Sequence, residues 1–192
     1  MPPTRCSTYK EETMNLQYAR EKTLFTILAV LAGIFWVGVT LATFGLVWLY
    51  VLFFFLFYLF AQSGFIAMLR GNAVEVTPDQ FPDLHARHVR ACEKLGIAER
   101  PTLYLQNSDG ILNALATRFL GNDYVVLYSS IVDALQDDQD AIDFYIGHEL
   151  GHVRLKHLTR GWLLLPVSWL PLIGAAYRRA QEYTCDLHGA AC

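Results

Sequence analysis

The chain has 192 residues, of which 54% are hydrophobic and only 17% charged, against roughly a quarter charged in an ordinary soluble domain, so part of it is expected to lie outside water. A net charge of -3 carries no basic excess and excludes the electrostatic footprint of a nucleic-acid binder. Cys6, Cys92, Cys185 and Cys192 are scattered, with no CxxC pair, which predicts free thiols in a reducing compartment rather than a disulfide scaffold.

Residues 1–23 are polar and mixed in charge and are expected to form a short tail, or a helix where it nears the membrane. From Leu24 to Leu69 there are 46 residues without a single charge. One bilayer crossing needs about 20 apolar residues, so this run predicts two transmembrane helices, 24–43 and 46–69, with a tight turn near Thr43–Gly45. The apolar core of a signal peptide is shorter, about 7–15 residues. The run also holds no ionisable residue to mark a transport pathway, which argues against a transporter. Arg5, Lys10, Arg20 and Lys22 precede the run and Arg70, Arg87 and Arg90 follow it, whereas the turn has no basic residue. The positive-inside rule then places both ends in the cytoplasm.

Residues 71–160 have the composition of an ordinary soluble domain. A helix is predicted over 81–96, with Pro82 in its first turn and Gly96 at its end. Extended stretches follow at 101–106, 111–120 and 124–129, with turns at 107–110 and 121–123. A short helix is expected at 129–135 and a long one at 137–160, acidic at its start and basic at its end, as the helix dipole favours. His85 and His88 lie on the first of these helices with no partner at ligand spacing and are expected at the surface. The last stretch, 178–192, reads as a helix without a stop signal, which predicts a truncated C-terminal end.

The long helix carries the chemistry. Within "DFYIGHELGHVRLKH", His148 and His152 are four residues apart, an offset of about 40° that puts both imidazoles on one helix face, one turn apart. That spacing lets two ring nitrogens reach one Zn²⁺. Glu149, turned about 100° from His148, can stand beside the metal without binding it, where a general base for an activated water belongs. Gly151 keeps the helix slim where another backbone or a substrate approaches. Buried polar groups of this kind need a partner, and a metal ion supplies one. An accidental HExxH is about a 1% event in a chain of this length.

A catalytic zinc takes three protein ligands and keeps an open position. The downstream donors are His157, Glu182, Cys185, Asp186 and His188. On a continuous helix His157 is about 140° from His152, facing away, and is expected at the surface. Glu182 and Asp186 are again four apart and share a face, so one can bind the metal while the other holds a ligating histidine by a hydrogen bond.

"HELGH" followed thirty residues later by "EYTCD" resembles the HtpX-type membrane zinc metallopeptidases, the family that includes the CAAX prenyl protease. The resemblance covers about 72–192 together with the two leading spans. It implies an α+β fold, with a transmembrane hairpin ahead of a zincin-like domain holding a small sheet and the HExxH helix. It implies one Zn²⁺ per chain held by His148, His152 and Glu182, Glu149 as base, and Asp186 behind a ligating histidine. Arg179 matches a recurring arginine of the family. "NALAT" resembles the edge strand that pairs with an extended substrate, which implies substrate contacts at Asn113, Ala114, Leu115 and Ala116. Cys185 stands where the family usually has alanine and is expected to serve packing.

Between the halves of the motif lies "GWLLLPVSWLPLIGAAY", residues 161–177. A single crossing would put Glu182 across the bilayer from His148, and seventeen residues cannot cross twice. This stretch is therefore expected not to span, lying in the membrane face or in the core, broken by Pro166 and Pro171. The chain is thus expected to be a membrane-bound zinc metalloendopeptidase with its site on the cytoplasmic side of a bacterial inner membrane. The resemblance implies misfolded or damaged membrane proteins as polypeptide substrates. The rival reading is a catalytically silent zinc-binding membrane scaffold.

Overall fold

The structure, a computed structural model, describes residues 16–107, 114–135 and 138–192. Two long helices lead, α1 (Ala19–Ala42) and α2 (Val47–Asn72). They measure about 36 and 39 Å at 1.5 Å per residue, long and apolar enough to cross a membrane. Most of their apolar side chains face outward, including Ile34, Leu41, Phe53, Phe57 and Phe60, as expected of helices surrounded by lipid rather than water. The chain reverses through Phe44 and Gly45, both at positive φ (48° and 84°). α1 starts five residues earlier than the sequence predicts, so Glu21 belongs to this helix and not to a tail.

The second part is a four-stranded sheet with helices. Strands β1 (Ala73–Glu75), β2 (Thr102–Gln106), β3 (Ala114–Phe119) and β4 (Asn122–Tyr128) lie in the order β1-β2-β4-β3. The central pair β2/β4 is parallel and the two outer pairs are antiparallel. β1 has no sequence signal of its own, because it is three residues continuing directly from α2. The expected turn at 121–123 lies instead at Leu120 and Gly121, both at positive φ (48° and 91°). Positive φ at both central residues suits a two-residue hairpin, and Arg118 and Asp123 close it with a 3.2 Å ion pair.

Each face of the sheet is covered. On one side α3 (Pro82–Lys94) and α5 (Gln139–Arg154) press Leu84, Ala91, Cys92, Ile142, Ile146 and Leu150 against Leu103, Val125 and Leu127. On the other, Ile66 and Leu69 at the end of α2 meet Tyr104, Tyr124 and Val126. β3 is an outer strand, and it is fastened to α2 by Gln62 Nε2, which donates to Thr117 Oγ1 at 2.7 Å. α4 (Ser129–Ala134) links β4 to α5. Cys92, Cys185 and Cys192 are free thiols, while Cys6, the turn at 108–110 and Asn113 lie outside the described residues.

The expected helix over 137–160 is two helices. α5 ends at Arg154, Lys156 adopts the left-handed conformation (φ 56°), and α6 (His157–Leu164) leaves in a new direction. Neither glycine nor proline marks the break, so periodicity alone runs through it. The stretch 161–177 is not one continuous helix: it passes from α6 through a series of turns into α7 (Ile173–Ala190). Its Leu164, Val167 and Tyr177 pack on Leu28 and Ala32 of α1, whereas Trp162, Leu163, Leu165, Trp169 and Leu172 are exposed.

His88 is not at the surface. It follows Leu84 by four and precedes Ala91 and Cys92 by three and four, so the same spacing that makes α3 amphipathic places it on the buried stripe. Burial, reinforced by the nearby His85 and Arg100, lowers its pKa to about 4. The folded pKa lies below the unfolded value near 6.5, so the unfolded chain takes up a proton that the native one refuses. Stability is therefore expected to fall as pH drops from about 6.5 toward 4, with this residue contributing on the order of 2–3 kcal/mol. Thermal melting at pH 7.5 and pH 5 should show a smaller acid loss in His88→Leu than in the unmodified protein.

Candidate metal centre

α5 and α7 run against each other at backbone contact, and glycines set the distance. A Cβ on Gly147 would lie 2.9 Å from the Cα of Gly189, and one on Gly151 would lie 3.1 Å from the Cα of Cys185. A Cβ on Gly189 would lie 2.7 Å from the carbonyl oxygen of Phe144. The HExxH face of α5 is thereby laid directly on the face of α7 that carries Glu182 and Asp186.

The polar side chains meet in this seam. Nε2 of His148 is 3.3 Å and Nε2 of His152 is 3.9 Å from the same oxygen of Glu182, Oε2. Nδ1 of His148 is 3.0 Å from Oδ1 of Asp186. Two imidazole nitrogens and a carboxylate oxygen thus converge on one small volume, and Glu182 is 57% exposed, which leaves that volume open to solvent. Burial, joined by the neighbouring His157 and His148, lowers the pKa of His152 to about 4. The ring is neutral at pH 7, the form a metal ligand requires.

Glu149 is turned about 100° from His148 around α5. It is buried, and burial raises its pKa to about 7, opposed by His148 and by the backbone N–H of Ala116, which donates to it. The carboxylate therefore touches the outer strand β3 at one of the residues expected to meet substrate. Ala114, Leu115 and Ala116 are half-buried on that strand, and Arg179 is exposed on α7.

The remaining donors stand behind this group. His188 is buried, with Nδ1 2.7 Å from the carbonyl oxygen of Thr184 and Nε2 3.2 Å from Arg154 Nη1. Cys185 offers a sulfur within 4.8 Å of nitrogens of His148 and His152. Its side chain is fully buried against Gly151, and burial pushes its thiol pKa well above the usual range. Cys185, from the buried side, and Glu182, from the open side and facing both Nε2 atoms, are thus the two donors within reach of the histidine pair. His157 is not the surface residue that a continuous helix implies. The turn at Lys156 swings it back, and its Nδ1 lies 3.0 Å from Nδ1 of His152. Its Nε2 is 3.1 Å from Oε1 of Glu21. Neither contact was legible in the sequence, because the first needs the break in the helix and the second spans 136 residues.

A sheet with an HExxH helix on one face and a carboxylate-bearing helix laid across it defines a metallopeptidase type of domain. The model of peptidase family M48 matches residues 78–175, about half of the chain, and the chain belongs to that family. It is 33% identical over 132 residues, 60% of its length, to a plastoglobule-localized metallopeptidase 48 of Arabidopsis thaliana, covering 37% of that protein. It is 31% identical over 88 residues, 46% of its length, to a protease HtpX homolog of Halobacterium salinarum, covering 29% of it. A CAAX prenyl protease 1 homolog of Dictyostelium discoideum matches 41% of the chain at 30% identity, over 18% of its own length. The chain thus spans well under half the length of these relatives. No solved structure gives a significant match.

The glycine seam is open to test. Gly189→Ala forces α5 and α7 apart by the amount its methyl group needs, at a cost of about 1–3 kcal/mol. The expected result is a lower melting temperature of the detergent-solubilised protein.

Proposed function

We propose that this chain is a membrane-bound zinc metalloendopeptidase. The supporting observation is the convergence of His148 Nε2 and His152 Nε2 on one oxygen of Glu182, with Glu149 buried alongside. Two imidazoles and one carboxylate with an open side suit a catalytic Zn²⁺ site of three protein ligands. Bound zinc supplies the Lewis acidity that polarises a peptide carbonyl and acidifies water.

The protein groups do the rest. Asp186 accepts the Nδ1 proton of His148 and so keeps Nε2 free for the metal. Glu149 takes the proton of the attacking water as its oxygen bonds to the carbonyl carbon, and delivers it to the amide nitrogen as the C–N bond breaks. Its burial matters here, because a carboxylate poised near neutral pH both accepts and returns a proton readily. A substrate in extended conformation would add to the sheet along β3, at 114–116, with main-chain hydrogen bonds at the outer edge. Arrival of substrate would compete for the N–H of Ala116 that Glu149 now accepts.

In this reading α1 and α2 cross the bilayer, residues 1–23 and 70–192 lie on the cytoplasmic side, and the substrates are polypeptides, membrane proteins in quality control among them. The loop 162–172 enters the lipid surface. Trp162 stacks edge-on against Tyr58, ring centroids 4.4 Å apart, and Tyr58 lies about 20 Å up α2 from its end at Asn72. Since α2 exceeds the roughly 30 Å of hydrocarbon by about 9 Å, that contact falls at least about 11 Å inside the lipid boundary, near the middle of α2.

The decisive comparison is the full chain against Glu149→Gln, with an unfolded protein as substrate in detergent. Cleavage should fall by about 10²–10⁴-fold in the variant, with one zinc per chain retained in both. A chelator should abolish the activity of the unmodified protein. If both bind zinc and neither cleaves, the chain is a silent zinc-binding scaffold instead.

A further inference from the structure

Glu21 is the most deeply buried carboxylate among the described residues, 1% exposed, and it stands in the first turn of a helix otherwise made for lipid. Its two oxygens are filled. Oε1 accepts from Gln17 Nε2 at 3.0 Å and faces His157 Nε2 at 3.1 Å, and Oε2 accepts from the hydroxyl of Thr184. Thr184 sits on α7 between Glu182 and Asp186, and its Oγ1 also accepts from the backbone N–H of Tyr18 at 3.1 Å. Three elements, α1, α6 and α7, are thus tied at one carboxylate directly behind the metal centre.

A buried carboxylate hydrogen-bonded to an imidazole is weak support for stability, since apolar residues of the same volume often serve as well. Its orientation explains it better. We propose that Glu21 and His157 are positioning residues for the metal centre, forming with His152 a buried chain that holds the proton of His152 on Nδ1 and leaves its Nε2 lone pair facing Glu182.

The proton count leaves one consistent arrangement for a metal-binding His152. With Nε2 bare, Nδ1 carries the hydrogen and must donate it. The atom 3.0 Å away is Nδ1 of His157, which must then be bare and accept. His157 consequently carries its own hydrogen on Nε2, where Glu21 accepts it. Glu21 receives donors on both oxygens and needs no proton of its own. His148 obtains the same support directly from Asp186, half-exposed and one residue pair away. Each histidine of the HExxH pair therefore has a carboxylate behind it, one in contact and one relayed through a second imidazole. Partners of this kind fix the tautomer and ring orientation of a metal-binding histidine. The relay makes the first membrane helix part of the metal centre.

The inference rests on the zinc reading above, and the experiment separates the two. Zinc affinity is measured by chelator competition on the full chain in detergent, for the unmodified protein, Glu21→Leu, His157→Leu, the double variant and His157→Gln. Each leucine variant is expected to bind zinc about 10–100-fold more weakly. The double variant should be no weaker than the worse single one, because both act through the same Nδ1. His157→Gln, whose amide can accept from His152 and donate to Glu21, should recover most of the affinity. Unchanged affinity in the leucine variants, or losses that multiply in the double variant, would overturn the proposal. Histidine ¹⁵N chemical shifts of the metal-free protein, assigned with His152→Asn, decide independently of folding defects in the variants. His152 protonated on Nδ1 is the expected result, and His152 protonated on Nε2 overturns the chain. A protein that binds no zinc but shows the Nδ1 tautomer overturns the zinc reading and leaves the relay standing.

Discussion

Helices α5 and α7 approach until glycine hydrogens are all that separates their backbones, at Gly147, Gly151 and Gly189. Polar side chains on both helices are short-reaching, and imidazole nitrogens can share one carboxylate oxygen only if the helix axes are this close. A residue with a Cβ at any of these positions meets backbone or the first atoms of a side chain, which cannot move aside as the end of a long chain can. The position of Glu182 relative to the two histidines is therefore set by main-chain packing, with side-chain rotamers as a minor adjustment. Interiors packed to this density transmit a displacement rather than absorb it.

The seam also fixes the electrostatic character of the site. Glu149 and His152 face protein on most sides, and in both cases burial favours the neutral form. Glu182 and Asp186 stand at the open rim, in solvent. The result is a gradient across a few ångströms, from carboxylates that keep their hydration to one held near its titration point. The same separation of environments distinguishes acid, base and ligand roles among chemically identical side chains.

The spacing of residues revealed the parts of this arrangement that are local. His148, Glu149 and His152 are disposed by one helix turn, and Glu182 and Asp186 by another, so their shared faces follow from 3.6 residues per turn. Pro82 and Gly96 bound α3 where expected. The long-range parts were not legible in the same way. His157 follows the HExxH pair by a distance that points it away on a straight helix, and only the left-handed Lys156, with no sequence signature, turns it back. Glu21 looked like one charge among several in a polar segment, because nothing nearby tells that α7 will close over it. His88 was legible in principle, since its spacing from Leu84, Ala91 and Cys92 is that of a core position. Its polarity masks that periodicity. β1 is too short to carry a pattern at all.

The groups that surround the metal centre come from widely separated positions: 17–21, 114–116, 148–157 and 182–186. During synthesis the histidines and Glu149 leave the ribosome well before Glu182 and Thr184. Until α7 has been made and has closed against α5, His148 has neither Glu182 nor Asp186 and Glu21 has lost one of its donors. A nascent chain therefore passes through the membrane-insertion stage of its life with the centre still in pieces. Closure of α7 against α5 is what brings the two carboxylates to the histidines.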